Sequence, residues 1–514
     1  MNSKTLSRNW NNLEAGHACT LQAAQFRRFL AHKVLPFSKH YRRVFADAGL
    51  TPSHFKSLDD LRRIPFTSKD DLLPDEENPQ KIRDFVLVPE PAQLARRPEN
   101  IARALLRGKK YVTSVLNEEF RPVLMTSTTG RSTSPVPFVY TKHDLNILET
   151  TGARLMEIGE TEPDFRHFNL FPFAPHLAFW QAHYAGLGAT VFNLSTGGGK
   201  ALGTDATLGL LDRVQPNALI GMPTFIYHLL QEATENNLSL TGLRKLVLGG
   251  EKVPQGARRK LRALAAELGA GNVDVMATYG FTEARMAWPE CPSSSHEPTG
   301  YHLFPDLGIV EIIDPESGEP LPHGSPGEIV YTPIDGRGTV VLRYRTGDFI
   351  DGGLVHTPCP ACGRNLPRLI GNISRVSDYR QVHSDKIKGT LVNFNELEHI
   401  LDDLEHVGAW QIELRKVDDN PLERDELLVH VHKTGRISDR DLARNIENRF
   451  LKATEVRPND ITFHSPAEMR RLHGLGKELK EKRFVDNRPG DSPAPQTKPK
   501  PKTPISTLTP TISQ

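Results

Sequence analysis

The stretch that decides the fold reads Leu124-Met125-Thr126-Ser127-Thr128-Thr129-Gly130-Arg131-Ser132-Thr133-Ser134-Pro135. Apolar runs before the turn (122–125) and after it (136–140) each predict a strand. The turn offers hydroxyl groups, backbone N–H groups and one guanidinium, which are donors that suit a phosphate group. It lacks the G-x-x-x-x-G-K-[ST] spacing of a Walker loop. We therefore predict a phosphate-binding loop of another kind, with an ordinary turn between two strands as the alternative.

Length, charge and cysteine content set the outer limits of the interpretation. At 514 residues the chain exceeds one ordinary core, so two or more domains are expected. A net charge of +2 gives no polybasic field, and we expect no nucleic acid partner. No apolar run is long enough to span a bilayer and no signal-like start is present, so we expect no membrane partner. Four cysteines in so long a chain do not make a disulfide scaffold, and the cytoplasm is the expected location.

The middle of the chain alternates strands with helices. A long amphipathic helix is predicted at 142–158, followed by strands at 189–193, 218–221 and 245–248 with helices between and after them. This alternation is typical of crossover units and predicts a mostly parallel sheet with helices on both faces. From 308 to 342 the pattern changes to short strands joined by Pro/Gly turns, which predicts an antiparallel or barrel-like subdomain. The fold class is therefore α/β.

A second, smaller unit is predicted after a boundary near 373–378. Helices at 394–404 and 438–450 alternate with strands at 410–415, 426–432 and 460–464, as in a compact α+β domain. We expect an N-terminal domain over 1–374, a C-terminal domain over 375–488 and a disordered tail over 489–514, which is rich in Pro, Ser, Thr and Lys. Between 74 and 120 only a helix around 100–106 is predicted.

Three strand ends carry candidate ligand-binding residues. Gly249-Gly250-Glu251 ends a buried strand, where glycine lets a ligand lie against the backbone. Tyr279-Gly280-Phe281-Thr282-Glu283 supplies an aromatic face, a hydroxyl group and a carboxylate that suits Mg²⁺. Asp348, at the end of Arg343-Tyr344-Arg345-Thr346-Gly347-Asp348, suits a ribose diol. The alternatives are a tight strand-to-helix turn, a surface turn with a partly buried Tyr, and surface ion pairs of Arg343 and Arg345.

The cysteines indicate a structural zinc site. Cys359 and Cys362 form a C-x-x-C knuckle, and Cys291 lies five residues before His296. Three thiolates and one imidazole complete a closed tetrahedral Zn²⁺ site. His302 or His356 is the alternative fourth ligand, and Cys291 and His296 being unrelated to the knuckle is another. The basic segment 474–483, which contains Lys477 and Lys480, either delivers a lysine to an anionic intermediate or is a solvated basic helix.

In this order and at these intervals, the motifs resemble the adenylate-forming ligase superfamily, most closely its phenylacetate–coenzyme A ligase branch. The resemblance covers about 35–488. Its specific points are Pro65-Phe66-Thr67-Ser68-Lys69-Asp70-Asp71-Leu72, Thr128-Thr129-Gly130-Arg131, Tyr279-Gly280-Phe281-Thr282-Glu283, Pro289-Glu290-Cys291, Arg343-Tyr344-Arg345-Thr346-Gly347-Asp348, Cys359 to Arg364 with Pro367-Arg368, and Arg483-Phe484-Val485-Asp486-Asn487-Arg488.

The resemblance implies a large adenylate-forming domain and a small mobile lid that rotates about a hinge near Arg375. It implies that ATP activates a carboxylic acid as an acyl adenylate and that coenzyme A then displaces AMP. By resemblance, the nucleotide is bound by Thr128, Thr129, Gly130, Arg131, Gly249, Gly250, Glu251, Tyr279, Gly280, Asp348 and Arg375. Thr282 contacts the α-phosphate, Glu283 binds Mg²⁺, and a lysine of the lid reaches the reacting atoms.

The chain departs from the family pattern in several places. Ser127, Arg131 and Ser132 replace a Gly, a Lys and a Pro in the phosphate loop, and Arg131 keeps the charge with a wider, planar head. Lys480 has the family spacing to Arg483, whereas Lys477 has the preceding glycine; we prefer Lys480 as the catalytic residue. Residues 86–120 have no counterpart that we can place.

The expected acid is aromatic, because five residues fall where the family builds its acyl pocket: Phe171, Phe173, His176, Phe179 and Trp180. Core packing of these aromatic side chains is the alternative. The expected function is therefore that of an AMP-forming acid–thiol ligase, as a monomer or homodimer. Adenylation with transfer to a carrier protein or an amine is the nearer alternative, and a non-catalytic protein that binds nucleotide or acyl adenylate is the other.

Overall fold

The protein is described by a computed structural model that covers residues 10–76, 78–90, 94–95, 97–128, 135–376, 384–387, 390–417, 424–454, 456–475 and 482–488. Its first part is a helical layer. α1 (Ala15–Phe29) continues through a wider helical turn (Leu30–Val34), and α2 (Lys39–Asp47) follows after Ser38, whose side chain caps the helix. Phe26, Phe29 and Tyr41 pack into one core with Phe138 and Tyr140 of the strands described next.

A helical hairpin separates this layer from the phosphate loop. It consists of α3 (Pro98–Arg107) and α4 (Lys109–Phe120), which meet at Gly108. The predicted helix around 100–106 is confirmed, but α4 was not predicted because its charged sequence shows little apolar periodicity. The chain then enters the ribbon of β1 (Pro122–Ser127) and β2 (Pro137–Thr141), which are paired antiparallel on either side of the loop.

The central sheet has six strands in the order β4-β3-β5-β6-β7-β8. The strands are β3 (Arg166–Asn169), β4 (Phe192–Ser195), β5 (Ala218–Gly221), β6 (Lys245–Gly249), β7 (Asp274–Phe281) and β8 (Met286–Pro289). All pairs are parallel except β7 with β8, so the predicted mostly parallel sheet is confirmed. The helices that accompany the sheet are α5 (Lys142–Ile158), α6 (Leu177–Ala189), α7 (Thr204–Val214), α8 (Pro223–Glu235) and α9 (Gln255–Glu267).

Antiparallel strands follow, as the change of pattern at 308 predicted. The four-stranded sheet runs in the order β10-β11-β12-β15, with β10 (Gly308–Ile313), β11 (Gly327–Pro333), β12 (Tyr344–Ile350) and β15 (Ile373–Arg375). A small sheet beside it combines β9 (Tyr301–His302), β13 (Leu354–Val355) and β14 (Arg368–Leu369). The α/β class with an antiparallel subdomain is confirmed.

The C-terminal region has its own core. β18 (Val407–Lys416) and β19 (Asp425–Lys433) are paired antiparallel, and β20 (Asp460–Phe463) and β21 (Phe484–Asp486) flank them in parallel. The hairpin β16 (Ser384–Ile387) and β17 (Thr390–Asn393) precedes the helices α10 (Phe394–Asp403), α11 (Asp439–Thr454) and α12 (Pro466–Leu472). Leu401, Trp410, Val429, Ile446 and Phe450 form its buried core. The limits of the predicted domains stay predictions, and the predicted tail lies outside the described residues.

Candidate active site

An acidic side chain of the turn after β7 lies close to an acidic side chain of the antiparallel sheet. The hydroxyl group of Tyr279 donates to Oδ2 of Asp348 at 2.9 Å, and that of Tyr344 donates to Oε1 of Glu283 at 2.6 Å. Nη1 of Arg375 lies 3.0 Å from Oδ1 of Asp348. The structure therefore brings together Tyr279, Glu283, Asp348 and Arg375, which the sequence predicted as separate candidates.

Backbone geometry explains why these side chains converge. β7 ends at Phe281, and Thr282 begins a tight turn to β8 in which Arg285 has a φ of 59°. Gly280 faces Ala287 so closely that a Cβ would lie 2.7 Å from the alanine side chain, which excludes larger residues there. In the antiparallel sheet, Asp348 of β12 is opposite Arg375 of β15. The turn supplies one carboxylate and the neighbouring sheet supplies the other.

Both acids are buried. Glu283 is 8% exposed and Asp348 is 9% exposed. Burial raises the pKa of Glu283, and the Asp348 charge adds to this, while the Tyr344 hydrogen bond opposes it. Burial together with the Asp348 carboxylate holds the pKa of Tyr279 well above its usual value, so this phenol is a hydrogen-bond donor at neutral pH. An arriving Mg²⁺ would favour the ionised form of Glu283.

The glycine-rich end of β6 lies beside the end of β7. Gly249 is paired with Thr278, and a Cβ on Gly249 would meet the Thr278 hydroxyl oxygen at 2.6 Å. Gly250 adopts a φ of 83°. Glu251 accepts a hydrogen bond from Oγ1 of Thr224 at 2.6 Å, so its carboxylate is anchored at the start of α8. The three predicted residues follow a central strand, where open α/β sheets bind their ligands.

The phosphate loop is described only at its edges. Oγ1 of Thr128 accepts a hydrogen bond from the Val136 amide at 3.0 Å, which joins the residues on the two sides of the loop. The Ser127 amide donates to the Pro175 carbonyl at 2.6 Å. The predicted residues Thr129, Gly130 and Arg131 lie outside the described residues, and their phosphate contacts stay predictions.

The candidate lysines are flanked by a well-anchored stem. Nε2 of Gln411 donates to the carbonyl groups of Leu472 at 2.9 Å and of Lys482 at 2.6 Å. Nη2 of Arg483 donates to Asp402 at 2.6 Å. These bonds fix both ends of the segment that carries Lys477 and Lys480. Both lysines lie outside the described residues, so the choice between them stays a prediction.

Arg343 is held in an ion pair inside the protein, not at its surface as the alternative interpretation suggested, whereas Arg345 is partly exposed and pairs with the buried Glu328. Nη2 of Arg343, which is 3% exposed, lies 3.2 Å from Oε1 of Glu311, and its guanidinium lies 4.1 Å from the centre of the Phe66 ring. The Thr67 amide donates to the Arg343 carbonyl at 3.1 Å, and the Arg345 amide donates to the Thr67 carbonyl at 2.9 Å. The early 65–72 motif is thereby joined to the strand that carries Asp348.

A second cluster consists of Cys291, His302, Cys359 and Cys362, whose ligand atoms all lie within 4.8 Å of one another. The sulfur atoms of Cys291 and Cys359 are 3.7 Å apart, and Sγ of Cys362 is 3.4 Å from Nε2 of His302. A tetrahedral Zn²⁺ with typical bond lengths gives edges of about 3.8 Å between two sulfurs and about 3.6 Å between sulfur and nitrogen. Nδ1 of His302 lies 3.2 Å from the Pro289 carbonyl, which leaves Nε2 to face the thiols. The four residues fit a zinc ion.

The prediction of His296 as the fourth ligand is corrected, because the structure places His302 beside the three thiols. His296 sits in a left-handed turn with a φ of 61°, and its carbonyl accepts hydrogen bonds from Gln255 and Arg262. His356 packs against His323 with ring centres 4.4 Å apart. Sequence spacing favoured the nearer histidine, whereas the pairing of β9 with β14 brings the more distant one to the knuckle.

Sequence reasoning missed Tyr344 as a partner of Glu283 and the buried pair of Arg258 with Glu290. Nη1 of Arg258 lies 2.8 Å from Oε2 of Glu290, and the same carboxylate accepts a hydrogen bond from the Ala277 amide at 2.7 Å. This ion pair is therefore hydrogen-bonded to the backbone of β7. Tyr344 lies inside a motif that was quoted for its Asp, so its position was a usable signal.

Among the described residues, no helix has the length and apolar content that a bilayer crossing requires.

A mostly parallel sheet, an antiparallel subdomain, a separate C-terminal region and neighbouring acids after β7 agree with the arrangement expected from the resemblance to adenylate-forming ligases. Residues 138–339 match the family described as AMP-binding enzyme. The phenylacetate–coenzyme A ligase of Thermus thermophilus is 26% identical over 484 residues, which is 89% of this chain and 96% of that protein. The Escherichia coli ligase of the same name is 26% identical over 79% of this chain and 81% of its own length.

Solved structures give the same answer for the fold. A 2-hydroxyisobutyryl–coenzyme A ligase in its postadenylation state superposes with a TM-score of 0.71 at 19% identity over 94% of this chain and 92% of that chain. The same ligase in its thioesterification state gives a TM-score of 0.57 over 93% of this chain and 91% of that chain. This chain is therefore similar in sequence to phenylacetate–coenzyme A ligases, and its residues 138–339 match the AMP-binding enzyme family.

Proposed function

We propose that this protein activates a carboxylic acid with ATP and transfers the acyl group to coenzyme A. In the first step a carboxylate oxygen attacks the α-phosphorus, a new P–O bond forms and pyrophosphate leaves. In the second step the coenzyme A sulfur attacks the acyl carbon, AMP leaves and the thiol proton passes to solvent. The observation that carries this proposal is the convergence of Tyr279, Glu283, Tyr344 and Asp348 beyond one strand end.

The described residues divide the work of holding the nucleotide. Asp348 accepts from the ribose hydroxyl groups, and the end of β6 at Gly249 and Gly250 lets the base lie against the backbone. Glu283, with Thr282 beside it, would hold Mg²⁺, which neutralises charge on the phosphate oxygens. The contribution of the protein to this reaction is positioning and charge stabilisation.

We propose an aromatic acid as the substrate. The ligases of Thermus thermophilus and Escherichia coli that resemble this chain are named for phenylacetate. Phe173 is 68% exposed and lies edge-on to Phe179, with ring centres 5.1 Å apart. Phe179 is buried and belongs to the core, as the packing alternative suggested for most of these rings. Phe173 is therefore the aromatic side chain available to a flat acyl group.

The lid would complete the site by delivering a lysine, and we assign this role to Lys480. We assign the Cys291, His302, Cys359 and Cys362 cluster to a structural zinc ion, because four protein ligands leave no open position for chemistry. Its thiols are free of disulfides, which suits the reducing cytoplasm that we propose as the location.

ATP–pyrophosphate exchange over a panel of carboxylic acids that includes phenylacetate tests the proposal. Exchange that depends on the acid, followed by AMP release that depends on coenzyme A, is the expected result. Exchange without consumption of coenzyme A would instead indicate a carrier protein or an amine as the acceptor. Absence of exchange with every acid would indicate a binding protein and would overturn the assignment.

Lysine substitutions test the lid separately. Lys480→Ala should abolish adenylation while AMP binding persists, because the lysine acts on the reacting oxygens and not on the nucleoside. Lys477→Ala is the matched control from the same segment. Loss of exchange in the Lys477 variant alone would show that the assignment within this segment is wrong.

A further inference from the structure

The hairpin of α3 and α4 is exposed around its turn and anchored at the end of α4. Phe120 at the end of α4 is 2% exposed. Glu119 forms ion pairs with Lys33 and with Arg337, the second at 2.7 Å. In contrast, nearly every described side chain from 101 to 114 is exposed. The tip of the hairpin is therefore a free surface feature on a rigid base.

The helix α3 is amphipathic, but its buried side is polar and its exposed side is apolar. Its buried side carries Asn100, which is 4% exposed and donates to the Leu94 carbonyl at 3.0 Å. Its outer side carries Ile101, Leu105 and Leu106, which are 47%, 83% and 84% exposed. Surface helices of globular proteins turn their apolar stripe toward the core, and clustered exposed leucines mark a surface that another phase or molecule covers.

Cations border these apolar side chains. Arg103, Arg107, Lys109 and Lys110 are all exposed, and the sequence contains no acidic residue between Glu99 and Glu118. The Arg107 guanidinium lies 5.0 Å from the centre of the Tyr111 ring and donates to its hydroxyl group at 2.9 Å. Apolar side chains flanked by cations and an amphipathic aromatic ring are typical of segments that lie in a lipid–water interface.

We propose that the α3–α4 tip docks this enzyme on the surface of an anionic lipid bilayer. Leu105 and Leu106 enter the acyl boundary, and the four cations stay at the level of the lipid phosphates. The sequence alone gave no reason to expect membrane contact, because no segment is long enough to span a bilayer. Docking needs no spanning segment, since a short amphipathic face lies in the plane of the interface.

Two other occupants fit the same surface less well. A two-fold dimer through this tip would place the same cations of both copies against each other, because an isologous interface pairs a patch with itself. An acidic protein would match the charge, but strong protein contacts bury apolar anchors in pockets of the partner and are surrounded by further packed contacts, whereas these two leucines are 83% and 84% exposed with exposed cations around them. A lipid surface matches both the charge and the high exposure of the two leucines.

Co-sedimentation of the full chain with vesicles tests the proposal. The wild-type protein should bind vesicles of phosphatidylcholine mixed with phosphatidylglycerol, and binding should weaken without phosphatidylglycerol and at high ionic strength. The double variant Leu105→Gln/Leu106→Gln should partition about tenfold more weakly, because it loses the apolar side chains that enter the bilayer. Lys109→Gln/Lys110→Gln should weaken binding to anionic vesicles only.

Leu187→Gln is the matched control, because Leu187 is 53% exposed on α6, outside the hairpin. It should bind vesicles like the wild type, and adenylation without vesicles should be unchanged in every variant. Failure of the wild type to bind anionic vesicles would overturn the proposal, as would equal binding by the double leucine variant. A change of oligomeric mass in the double leucine variant would assign the tip to a dimer interface instead. If the wild type did not bind vesicles and the double leucine variant lost an acidic protein partner, the tip would be assigned to an interface with that partner.

Discussion

At the scale of single residues, the candidate site depends on hydroxyl groups that support carboxylates. Tyr344 and Tyr331 lie opposite each other on β12 and β11, and both side chains are buried. The hydroxyl group of Tyr344 donates to Glu283 at 2.6 Å, whereas that of Tyr331 makes no hydrogen bond to any described residue. The two phenols therefore provide a matched pair for measuring the effect of one hydrogen bond.

We predict that Tyr344→Phe moves the acid limb of the pH–activity profile to higher pH. Burial raises the pKa of Glu283 and the Tyr344 hydrogen bond lowers it, so removing that bond raises the pKa further. The proposed Mg²⁺-binding role of Glu283 requires its ionised form, so the variant should lose activity at a less acidic pH. A hydrogen bond to a charged group contributes about 1.5–3 kcal/mol, equivalent to about one to two pH units.

The measurement is ATP–pyrophosphate exchange against pH in the wild type and both Tyr→Phe variants. Tyr331→Phe should leave the limb in place. A profile of Tyr344→Phe that overlays the wild type would mean that Glu283 does not need this donor.

The zinc assignment makes a prediction about two histidines. The purified protein should contain about one zinc ion per chain, and His302→Ala should lose most of it because the tetrahedral set loses a ligand. His296→Ala should keep its zinc, since His296 is not part of the cluster. Metal analysis by mass spectrometry of protein prepared without a histidine tag gives the answer. A metal-free, fully folded wild type would contradict the assignment.

At the scale of elements, the sequence predicted those whose local signals agree with their packing. α5 begins and ends where predicted because Thr141 and Asp144 form a capping box at its start and its apolar stripe is regular. β5 was also predicted at its observed limits, since it is a short apolar run buried in the sheet. The short pairs of β9, β13 and β14 escaped prediction because two-residue strands have no periodicity and exist only through their partners. The identity of the fourth cluster ligand depended on the same pairing.

Asp144 does more than cap α5, and we predict that Asp144→Ala strongly destabilises the protein. Its carboxylate lies 2.7 Å from Nη1 of Arg285 and accepts hydrogen bonds from the amides of Arg337 at 2.9 Å and Gly338 at 2.8 Å. Removing it leaves a buried guanidinium without this partner, which costs about 3–5 kcal/mol. Urea unfolding should show this loss, whereas the exposed control Asp164→Ala should change stability by less than about 0.5 kcal/mol.

The pH dependence of stability carries the same signature. Burial alone would raise the pKa of Asp144, but the Arg285 charge and the backbone donors hold it below its ordinary value. A carboxyl group with a lowered pKa in the folded state stabilises that state above the ordinary value of 3.8 and loses this effect as pH falls toward the folded-state pKa. The difference in unfolding free energy between wild type and Asp144→Ala should therefore shrink below that pH.

At the scale of the whole molecule, the C-terminal region rests on the large domain through α9 and α8. Nη2 of Arg259 lies 2.7 Å from Oδ1 of Asp403, and Nε of Arg470 lies 3.0 Å from Oε1 of Glu232. Gly256 of α9 packs against the backbone of α10, and a Cβ on Gly256 would lie 1.8 Å from the Asp402 carbonyl oxygen. No sequence pattern could reveal this arrangement, because each element reads as an ordinary amphipathic helix.

We predict that Gly256→Ala disfavours the docked arrangement. The added methyl group overlaps the backbone of α10, and overpacking of this kind costs about 1–3 kcal/mol, or a five- to hundredfold loss of the docked population. Small-angle X-ray scattering should show a larger radius of gyration. Gly271→Ala is the control, since a Cβ there meets nothing within 4 Å. Equal radii for the two variants would show that this contact does not hold the regions together.

The position of Arg375 connects the candidate nucleotide site with the part of the chain that leads to the C-terminal region. The carboxylate of Asp348 accepts a hydrogen bond from the hydroxyl group of Tyr279 and also pairs with Arg375, which precedes the C-terminal region in the chain. Under the proposed function, the ribose hydroxyl groups would donate to the same carboxylate and would compete with Arg375 for it. Nucleotide binding would then weaken the contact between Asp348 and Arg375.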